Sequence, residues 1–271
     1  MGASPYALVN GVRLYYEVMG SGEPLVLIMG LGADSGWWPP RFLEALQRDF
    51  MVVVFDNRGA GRSDKPDVEY SIEGMALDTI GLMDHLGLER ASVLGVSMGG
   101  MIAQEMAISH PERVRKLVLV TTGPGGPCSV PPRPEALEQL LLDRSTTPPE
   151  VIAEKTIETL FPREWLEAHR GEVEAIARRV LENPMPGHAY RRQLEAVMKF
   201  ESCSGLHLIR APTLVVGGGR DIVLPVENSK VLAERIPNAR LVVYSDAGHG
   251  LVLQKQDELA GLVRGFLKED P

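Results

Sequence analysis

The sequence predicts an α/β protein built on a mostly parallel central sheet with helices on its faces. Short aliphatic runs alternate along the chain with longer amphipathic segments, and this alternation is typical of parallel strands joined by helical crossovers. Some of the runs, such as Val52–Phe55 and Leu117–Val120, are apolar at every position. Continuous apolar runs indicate strands that are covered on both faces.

The individual elements follow from the period of the apolar residues. Residues 19–23 contain two glycines and predict a hairpin turn between the first two strands. Seven strands are predicted: Arg13–Val18, Leu25–Met29, Met51–Phe55, Ala91–Val96, Lys116–Val120, Thr213–Val216 and Arg240–Tyr244. Helical spacing of apolar residues predicts helices over Ile72–Leu86, Met98–Ser109, Val226–Ile236 and Leu259–Leu267.

The composition changes after Val120. Residues 123–134 contain three glycines and five prolines, too many for a regular strand or helix. The chain then becomes helical and strongly charged to about Glu201, with no convincing strand, before the strand pattern resumes. We therefore expect a core domain formed by residues 1–122 and 207–271, with a helical cap inserted at residues 123–206.

Composition and charge exclude several classes of function. The chain has 271 residues with ordinary apolar and charged content, and its net charge of −8 disfavours nucleic acid and anionic lipid as partners. Cys128 and Cys203 are too few for a disulfide framework or a four-cysteine zinc site, and both are expected to be free thiols.

The N-terminal residues do not resemble a secretory signal, and no apolar stretch is long enough for a bilayer span. A cytoplasmic protein without membrane contacts is expected, and a homodimer is compatible with the sequence.

Ser97 is the strongest candidate for chemistry. It lies in Gly95-Val96-Ser97-Met98-Gly99, between a predicted strand and a predicted helix. That context indicates a nucleophile elbow, in which a sharp turn exposes the serine hydroxyl and glycines on either side relieve steric clashes. A role as a simple helix cap is the alternative.

A serine nucleophile needs a base, and His249 is the best candidate. It lies in residues 246–250, Asp-Ala-Gly-His-Gly, just after a predicted strand, and so at the same edge of the sheet as Ser97. The other histidines are placed at helix ends or among the charged residues of the predicted cap, where solvation or capping explains them: His85, His110, His169, His188 and His207.

Asp221 is the candidate for the carboxylate that orients the base. It follows another predicted strand and precedes a predicted helix. Asp246 competes less well, because it lies only three residues before His249. The chain order Ser97, Asp221, His249 is the order expected for a nucleophile-elbow hydrolase. The alternative for Asp221 is a plain turn aspartate.

Two backbone amides are expected to form an oxyanion hole. One is the N–H of Met98, directly after the nucleophile, and the other is the N–H of Leu31 in the glycine-rich loop Met29-Gly30-Leu31-Gly32. A glycine-rich turn without such a role is the alternative for the second.

These motifs resemble those of the serine hydrolases of the α/β-hydrolase fold, and the resemblance covers nearly the whole chain. Residues 56–63, Asp-Asn-Arg-Gly-Ala-Gly-Arg-Ser, resemble the D-x-R-G-x-G-x-S turn of that family. Within it, the chain is similar to cofactor-free carboxylesterases and enol-lactone hydrolases that carry a helical cap. Met29 stands where the family often has histidine, and no tryptophan soon follows His249, unlike in many carbon–carbon bond hydrolases of the family.

The resemblance implies an esterase acting on a small or medium carboxylic ester or lactone through an acyl-enzyme on Ser97, without metal or cofactor. Three alternatives stay open: a carbon–carbon bond hydrolase of ring-cleavage products, an acyltransferase or perhydrolase, and a small-molecule receptor without turnover. The substrate pocket is expected between the sheet edge and the cap. Its candidate residues, for which apolar packing is the alternative, are Trp37, Trp38, Leu140, Phe161 and Trp165.

Overall fold

The computed structural model describes residues 5–269, which form an eight-stranded sheet and eleven α-helices. Residues 1–4, on which the expected lack of a targeting signal partly rests, lie outside the described residues. The strands are β1 (Tyr6–Val9), β2 (Val12–Met19), β3 (Glu23–Ile28), β4 (Phe50–Phe55), β5 (Ala91–Val96), β6 (Val114–Val120), β7 (Thr213–Gly218) and β8 (Ala239–Tyr244). The helices are α1 (Pro40–Leu46), α2 (Ile72–His85), α3 (Met98–Ser109), α4 (Pro134–Leu140), α5 (Pro149–Leu160), α6 (Arg163–Ala168), α7 (Arg170–Glu182), α8 (Gly187–Lys199), α9 (Val226–Arg235), α10 (Leu251–Gln254) and α11 (Gln256–Lys268).

The strands lie in the order β1-β2-β4-β3-β5-β6-β7-β8. β2 pairs antiparallel with β1 and β4, and the remaining neighbours are parallel. The predicted hairpin between β2 and β3 is wrong, because β4 lies between them. A Cβ at Gly20 would come within 2.4 Å of the carbonyl oxygens of Gln47 and Phe50, so the turn after β2 crosses the start of β4.

The strand β1 was not predicted from the sequence. It has four residues and joins β2 through Asn10 and Gly11, whose φ angles are +47° and +78°. Asn-Gly is the dipeptide favoured in two-residue hairpins, because both positions need positive φ. The signal was therefore present, but the strand before it was too short to show a period.

Alternate residues of the central strands face two apolar cores. Val26 of β3 and Val93 of β5 pack with residues of α2, α3 and α9 on one face of the sheet. Leu25 and Leu94, the sequence neighbours of Val26 and Val93, pack with residues of α1 and α11 on the other face. The continuous apolar runs therefore belong to strands covered on both sides, and the predicted α/β fold with a mostly parallel sheet is confirmed.

The segment between β6 and β7 contains the helices α4 to α8. Its two ends meet at a β-bridge between Gly125 and Glu201, beside a disulfide that joins Cys128 to Cys203. The expectation of two free thiols is therefore wrong: 75 residues separate the cysteines in sequence, but the fold brings their Cα atoms to 6.1 Å. Within residues 5–269, no helix is both long and apolar enough to cross a bilayer.

Candidate active site

The site begins at the turn between β5 and α3. Ser97 has φ = 55° and ψ = −120°, an unusual conformation for a residue with a side chain. A Cβ at Gly95 would lie 2.2 Å from the carbonyl oxygen of Gly99, and one at Gly99 would lie 2.1 Å from that of Ile28. Both positions therefore require glycine. The turn is held by the Ser97 N–H, which donates to the Val120 carbonyl at 3.0 Å.

Three side chains from distant parts of the sequence form a continuous hydrogen-bonded chain. His249 Nε2 lies 3.0 Å from Ser97 Oγ, and His249 Nδ1 lies 2.8 Å from Asp221 Oδ2. His249 is 8% exposed and Asp221 is 5% exposed. With Nδ1 donating its proton to the carboxylate, Nε2 presents a lone pair to the serine hydroxyl. The arrangement can therefore take a proton from Ser97.

Asp221 is itself oriented by the backbone. The N–H groups of Val223 and Leu224 each donate to Asp221 Oδ1 at 2.8 Å. Since Oδ1 is held by two amides, Oδ2 is left to accept from His249. This satisfies a nearly buried carboxylate and fixes its plane, as an orienting acid requires.

The loop that carries His249 is packed under the insertion. The Gly250 N–H donates to the Leu160 carbonyl at 2.8 Å, and a Cβ at Gly250 would lie 2.3 Å from the ring of Phe161. A Cβ at Gly248 would lie 2.7 Å from the Leu160 carbonyl oxygen. The glycines on both sides of His249 thus allow the end of α5 to lie directly against the loop.

The loop after β3 lies against Ser97. A Cβ at Gly30 would be 3.1 Å from Ser97 Cβ. Among residues 5–269, the backbone N–H groups of Leu31 and Met98 have no hydrogen-bond acceptor. Met98 is the first residue of α3, where an N–H has no acceptor within the helix. Both amides can therefore donate to a substrate oxygen.

Two side chains that sequence reasoning missed hold this loop. Asn57 Nδ2 donates to the Met29 carbonyl at 3.1 Å. Gln193, fully buried on α8, accepts from the Gly32 N–H at 3.0 Å and donates to the Arg58 carbonyl at 2.8 Å. Asn57 belongs to the motif at residues 56–63 and could have been suspected, whereas nothing in the sequence distinguishes Gln193.

The motif at residues 56–63 forms a rigid turn behind the loop. Asp56 is fully buried, and its carboxylate accepts from the N–H groups of Ser35 at 2.7 Å and Arg62 at 2.8 Å. Arg58 forms a two-point ion pair with Asp78, with distances of 2.5 and 2.7 Å. The turn therefore braces the loop after β3, and none of its residues lines the cavity beside Ser97.

A cavity of about 470 Å³ opens beside Ser97 and His249, between the sheet edge and the helical insertion. Of the predicted pocket residues, Trp37 and Leu140 lie on its wall. Trp38, Phe161 and Trp165 do not, and these predictions need correction. Aliphatic and methionine side chains make up much of the wall, including Met29, Val96, Ile152, Leu160, Met185, Leu194 and Val252.

The three aromatic residues that do not line the cavity pack behind its wall or in the core. Trp38 is 2% exposed and stacks on Phe42 in the core beneath α1, with ring centroids 5.8 Å apart. Phe161 is buried against the His249 loop and stacks on Trp165 at 4.5 Å. Trp165 in turn stacks on His169 at 4.5 Å. These rings support the walls of the site from behind.

No metal site accompanies this arrangement in the part of the chain that the structure describes. Across residues 5–269, no group of three or more His, Cys, Asp or Glu side chains is placed to hold a metal ion. The polar groups at the head of the cavity are a hydroxyl, an imidazole and two backbone amides, a set suited to nucleophilic attack on a carbonyl carbon.

The strand–serine–helix turn, the strand order and the placement of Ser97, Asp221 and His249 define a class of protein. The chain belongs to the alpha/beta hydrolase fold family, whose model matches residues 23–256, and the resemblance seen in the sequence is confirmed. It is 33% identical over 259 residues to a relative from Caulobacter sp. (strain K31) named as carbamate hydrolase RutD, covering 94% of this chain and 95% of the relative. It is also 33% identical over 248 residues to a poly(3-hydroxyalkanoate) depolymerase from Ectopseudomonas oleovorans, covering 91% and 85%. The enol-lactonase from Burkholderia xenovorans LB400 superposes with a TM-score of 0.87 at 28% identity, covering 98% of this chain and all of that chain.

Proposed function

We propose that this protein is a serine hydrolase that cleaves a small or medium carboxylic ester or lactone through an acyl-enzyme on Ser97. The observation that carries the proposal is the unbroken chain from Ser97 Oγ through His249 to Asp221, at 3.0 and 2.8 Å, at the head of a largely apolar cavity. The names of the relatives, a polyester depolymerase and an enol-lactonase, support a substrate with a carbonyl carbon bonded to oxygen.

The proposed reaction starts with the attack of Ser97 Oγ on the carbonyl carbon, while its proton passes to His249 Nε2. The carbonyl oxygen becomes an oxyanion that accepts from the Leu31 and Met98 amides. The bond to the leaving oxygen then breaks, and His249 returns the proton to that oxygen. Asp221 keeps the imidazole in the correct tautomer and stabilises its cation.

Water completes the proposed cycle. His249 takes a proton from the water as its oxygen attacks the acyl-enzyme, and the same two amides bind the second oxyanion. Breaking the bond to Ser97 Oγ releases a carboxylic acid, and His249 returns the proton to the serine. For a lactone, the alcohol and the acid are two ends of one product.

A substrate panel with matched variants tests the proposal. The panel contains p-nitrophenyl butyrate, simple lactones, an alkyl carbamate and a ring-cleavage diketone. Ser97→Ala should lower kcat on esters by on the order of 10⁴- to 10⁶-fold, as in other triads. Ser109→Ala is the control, because Ser109 is an exposed serine at the far end of the same helix. A Ser97→Ala protein that keeps more than about a tenth of the activity would contradict the proposal.

The same panel separates the alternatives. Faster turnover of the diketone than of every ester would indicate a carbon–carbon bond hydrolase. Products formed with added alcohol or peroxide would show acyl transfer. A fluorophosphonate that labels Ser97 in a protein with no turnover on any member of the panel would favour a small-molecule receptor.

A further inference from the structure

The cavity beside Ser97 contains one permanent charge. Among the residues that line it, the charged or titratable side chains are Arg144, His249 and the phenol of Tyr190, and no Asp, Glu or Lys is present. His249 is already hydrogen-bonded to Asp221. The protein has a net charge of −8, yet the charged side chain on this largely apolar wall is an arginine.

Arg144 has no anionic neighbour that would neutralise it. It lies in the turn between α4 and α5, half-buried, and no carboxylate within the described residues 5–269 comes within 4.0 Å of its guanidinium nitrogens. The adjacent carboxylate of Asp143 instead accepts from the Ser145 N–H and faces Arg191. Arg144 Nε is buried and has no hydrogen-bond partner in the same part of the chain. A half-buried cation without an anionic partner is costly, so the cavity that Arg144 lines favours a ligand that carries a negative charge.

Packing holds Arg144 at a fixed place relative to the nucleophile. Its guanidinium carbon lies 3.7 Å from the ring centroid of Tyr190. The Tyr190 hydroxyl donates to the Leu140 carbonyl at 3.1 Å, and a Cβ at Gly32 would lie 3.3 Å from the edge of the same ring. The Tyr190 ring thus lies between the loop after β3 and Arg144: its edge packs on Gly32, and the guanidinium stacks on its face.

The charge of Arg144 acts on this part of the cavity. Burial raises the pKa of the Tyr190 phenol, and the neighbouring Arg144 partly offsets that rise. Because Arg144 lowers the pKa of this phenol, it stabilises negative charge nearby. An apolar wall strengthens such an interaction, because little water is present to screen it.

We infer that Arg144 binds a carboxylate of the substrate, so that the preferred ester or lactone carries an anionic group remote from the carbonyl that Ser97 attacks. A guanidinium can bind both oxygens of a carboxylate at once. The inference rests on the proposed function, since it assigns a substrate class to the same cavity. A neutral ester of the same length contacts the apolar part of the wall but leaves the charge of Arg144 without an anionic partner.

Matched pairs of substrates test this inference. One pair places the charge on the acyl side, p-nitrophenyl hydrogen glutarate against its methyl ester. The other places it on the alcohol side, 4-(butyryloxy)benzoate against its methyl ester. The measured quantity is the ratio of kcat/KM for the anionic substrate to that for its neutral partner. In Arg144→Gln this ratio should fall on the order of 10- to 100-fold for at least one pair, the range expected for a charged hydrogen bond.

Control variants separate charge recognition from packing. Arg144→Lys keeps the positive charge and should retain an intermediate ratio, which also tests the inference if the Gln variant folds poorly. Arg163→Gln removes a cap arginine whose side chain is 88% exposed and should leave the ratio unchanged. Equal ratios in wild type and Arg144→Gln for both pairs, or an equal loss on charged and neutral substrates, would overturn the inference.

A binding measurement distinguishes failure of this inference from failure of the proposed function. Monomethyl glutarate and dimethyl glutarate are titrated by calorimetry into Ser97→Ala and into Ser97→Ala/Arg144→Gln. The first ligand should bind at least on the order of tenfold more weakly to the double variant, whereas the second should not change. If wild type hydrolyses no ester but this difference appears, the hydrolase proposal fails and Arg144 still recognises a carboxylate. If esters are hydrolysed but the difference is missing, the role of Arg144 fails alone.

Discussion

Replacing Gln193 by leucine should damage catalysis without touching a reacting atom. Gln193 is fully buried on α8, and its amide joins the Gly32 N–H of the oxyanion loop to the Arg58 carbonyl. Leucine has a similar volume but can neither accept nor donate, so two partly buried backbone groups lose their partners. The Leu31 amide is next to Gly32, and it should then lose its fixed position relative to Ser97.

The magnitudes follow from the bonds that are lost. A buried group left unsatisfied costs about 1–3 kcal/mol, and because these two are only partly buried, the free energy of unfolding should fall by about 2–3 kcal/mol. Complete loss of one oxyanion donor lowers kcat by on the order of 10²- to 10³-fold. Since the loop keeps its bond from Asn57, we expect a loss on the order of 10- to 10³-fold, with a smaller change in KM.

Gln104 provides the matched control. It is also fully buried, and its side chain donates to the carbonyls of Gly100 and Gly123 and accepts from the Ser202 hydroxyl. Gln104→Leu should therefore lose at least as much stability in thermal unfolding but keep more of its kcat on p-nitrophenyl butyrate. If Gln193→Leu loses stability and retains wild-type kcat, α8 does not position the oxyanion loop and the reasoning is wrong.

Three further predictions concern the elbow, the disulfide and the orienting acid. Gly99→Ala should abolish ester hydrolysis and lower the melting temperature, since the new Cβ would lie 2.1 Å from a backbone oxygen. Gly265→Ala on α11 is the control: nothing lies within 4 Å of its Cβ, so it should raise the free energy of unfolding by about 0.4–1 kcal/mol. An active Gly99→Ala protein would contradict the packing argument. Replacing Cys128 and Cys203 together by serine should cost about 3–5 kcal/mol of unfolding free energy, as expected for closing a loop of this length, and an unchanged denaturant midpoint would show that the bond does not stabilise the fold. Asp221→Asn should lower kcat by on the order of 10⁴-fold while circular dichroism stays native, because the amide favours the wrong imidazole tautomer; near-normal turnover would remove Asp221 from the mechanism.

The sequence was most informative at the ends of strands. Ser97, Asp221 and His249 could each be found because strand ends in a parallel sheet share one edge and because glycines mark where the backbone must turn sharply or approach closely. The structure brings the three side chains within hydrogen-bond distance of one another. Leu31 and Met98 followed from the same local geometry, and their amides are free of acceptors within residues 5–269.

The sequence was least informative where a side chain's direction depends on packing between distant segments. Trp37 and Trp38 are neighbours, yet the first lies on the cavity wall and the second is buried in the core. Arg144 and Gln193 belong to the insertion, and their roles depend on how its helices lie over the sheet. Periodicity identifies those helices but does not determine which residues of one segment meet another.

The most direct test of the acyl-enzyme mechanism is to trap the acyl group on the protein. The wild-type chain is mixed with an activated p-nitrophenyl ester whose acyl group is hindered, so that deacylation is slower than acylation, and the mixture is quenched in acid within the first turnover and analysed by peptide mass spectrometry. We expect the added mass of the acyl group on the peptide that contains Ser97 and a matching burst of p-nitrophenolate, and we expect neither in Ser97→Ala. Turnover with no acyl mass at Ser97, or with the same adduct on another residue in both proteins, would contradict it.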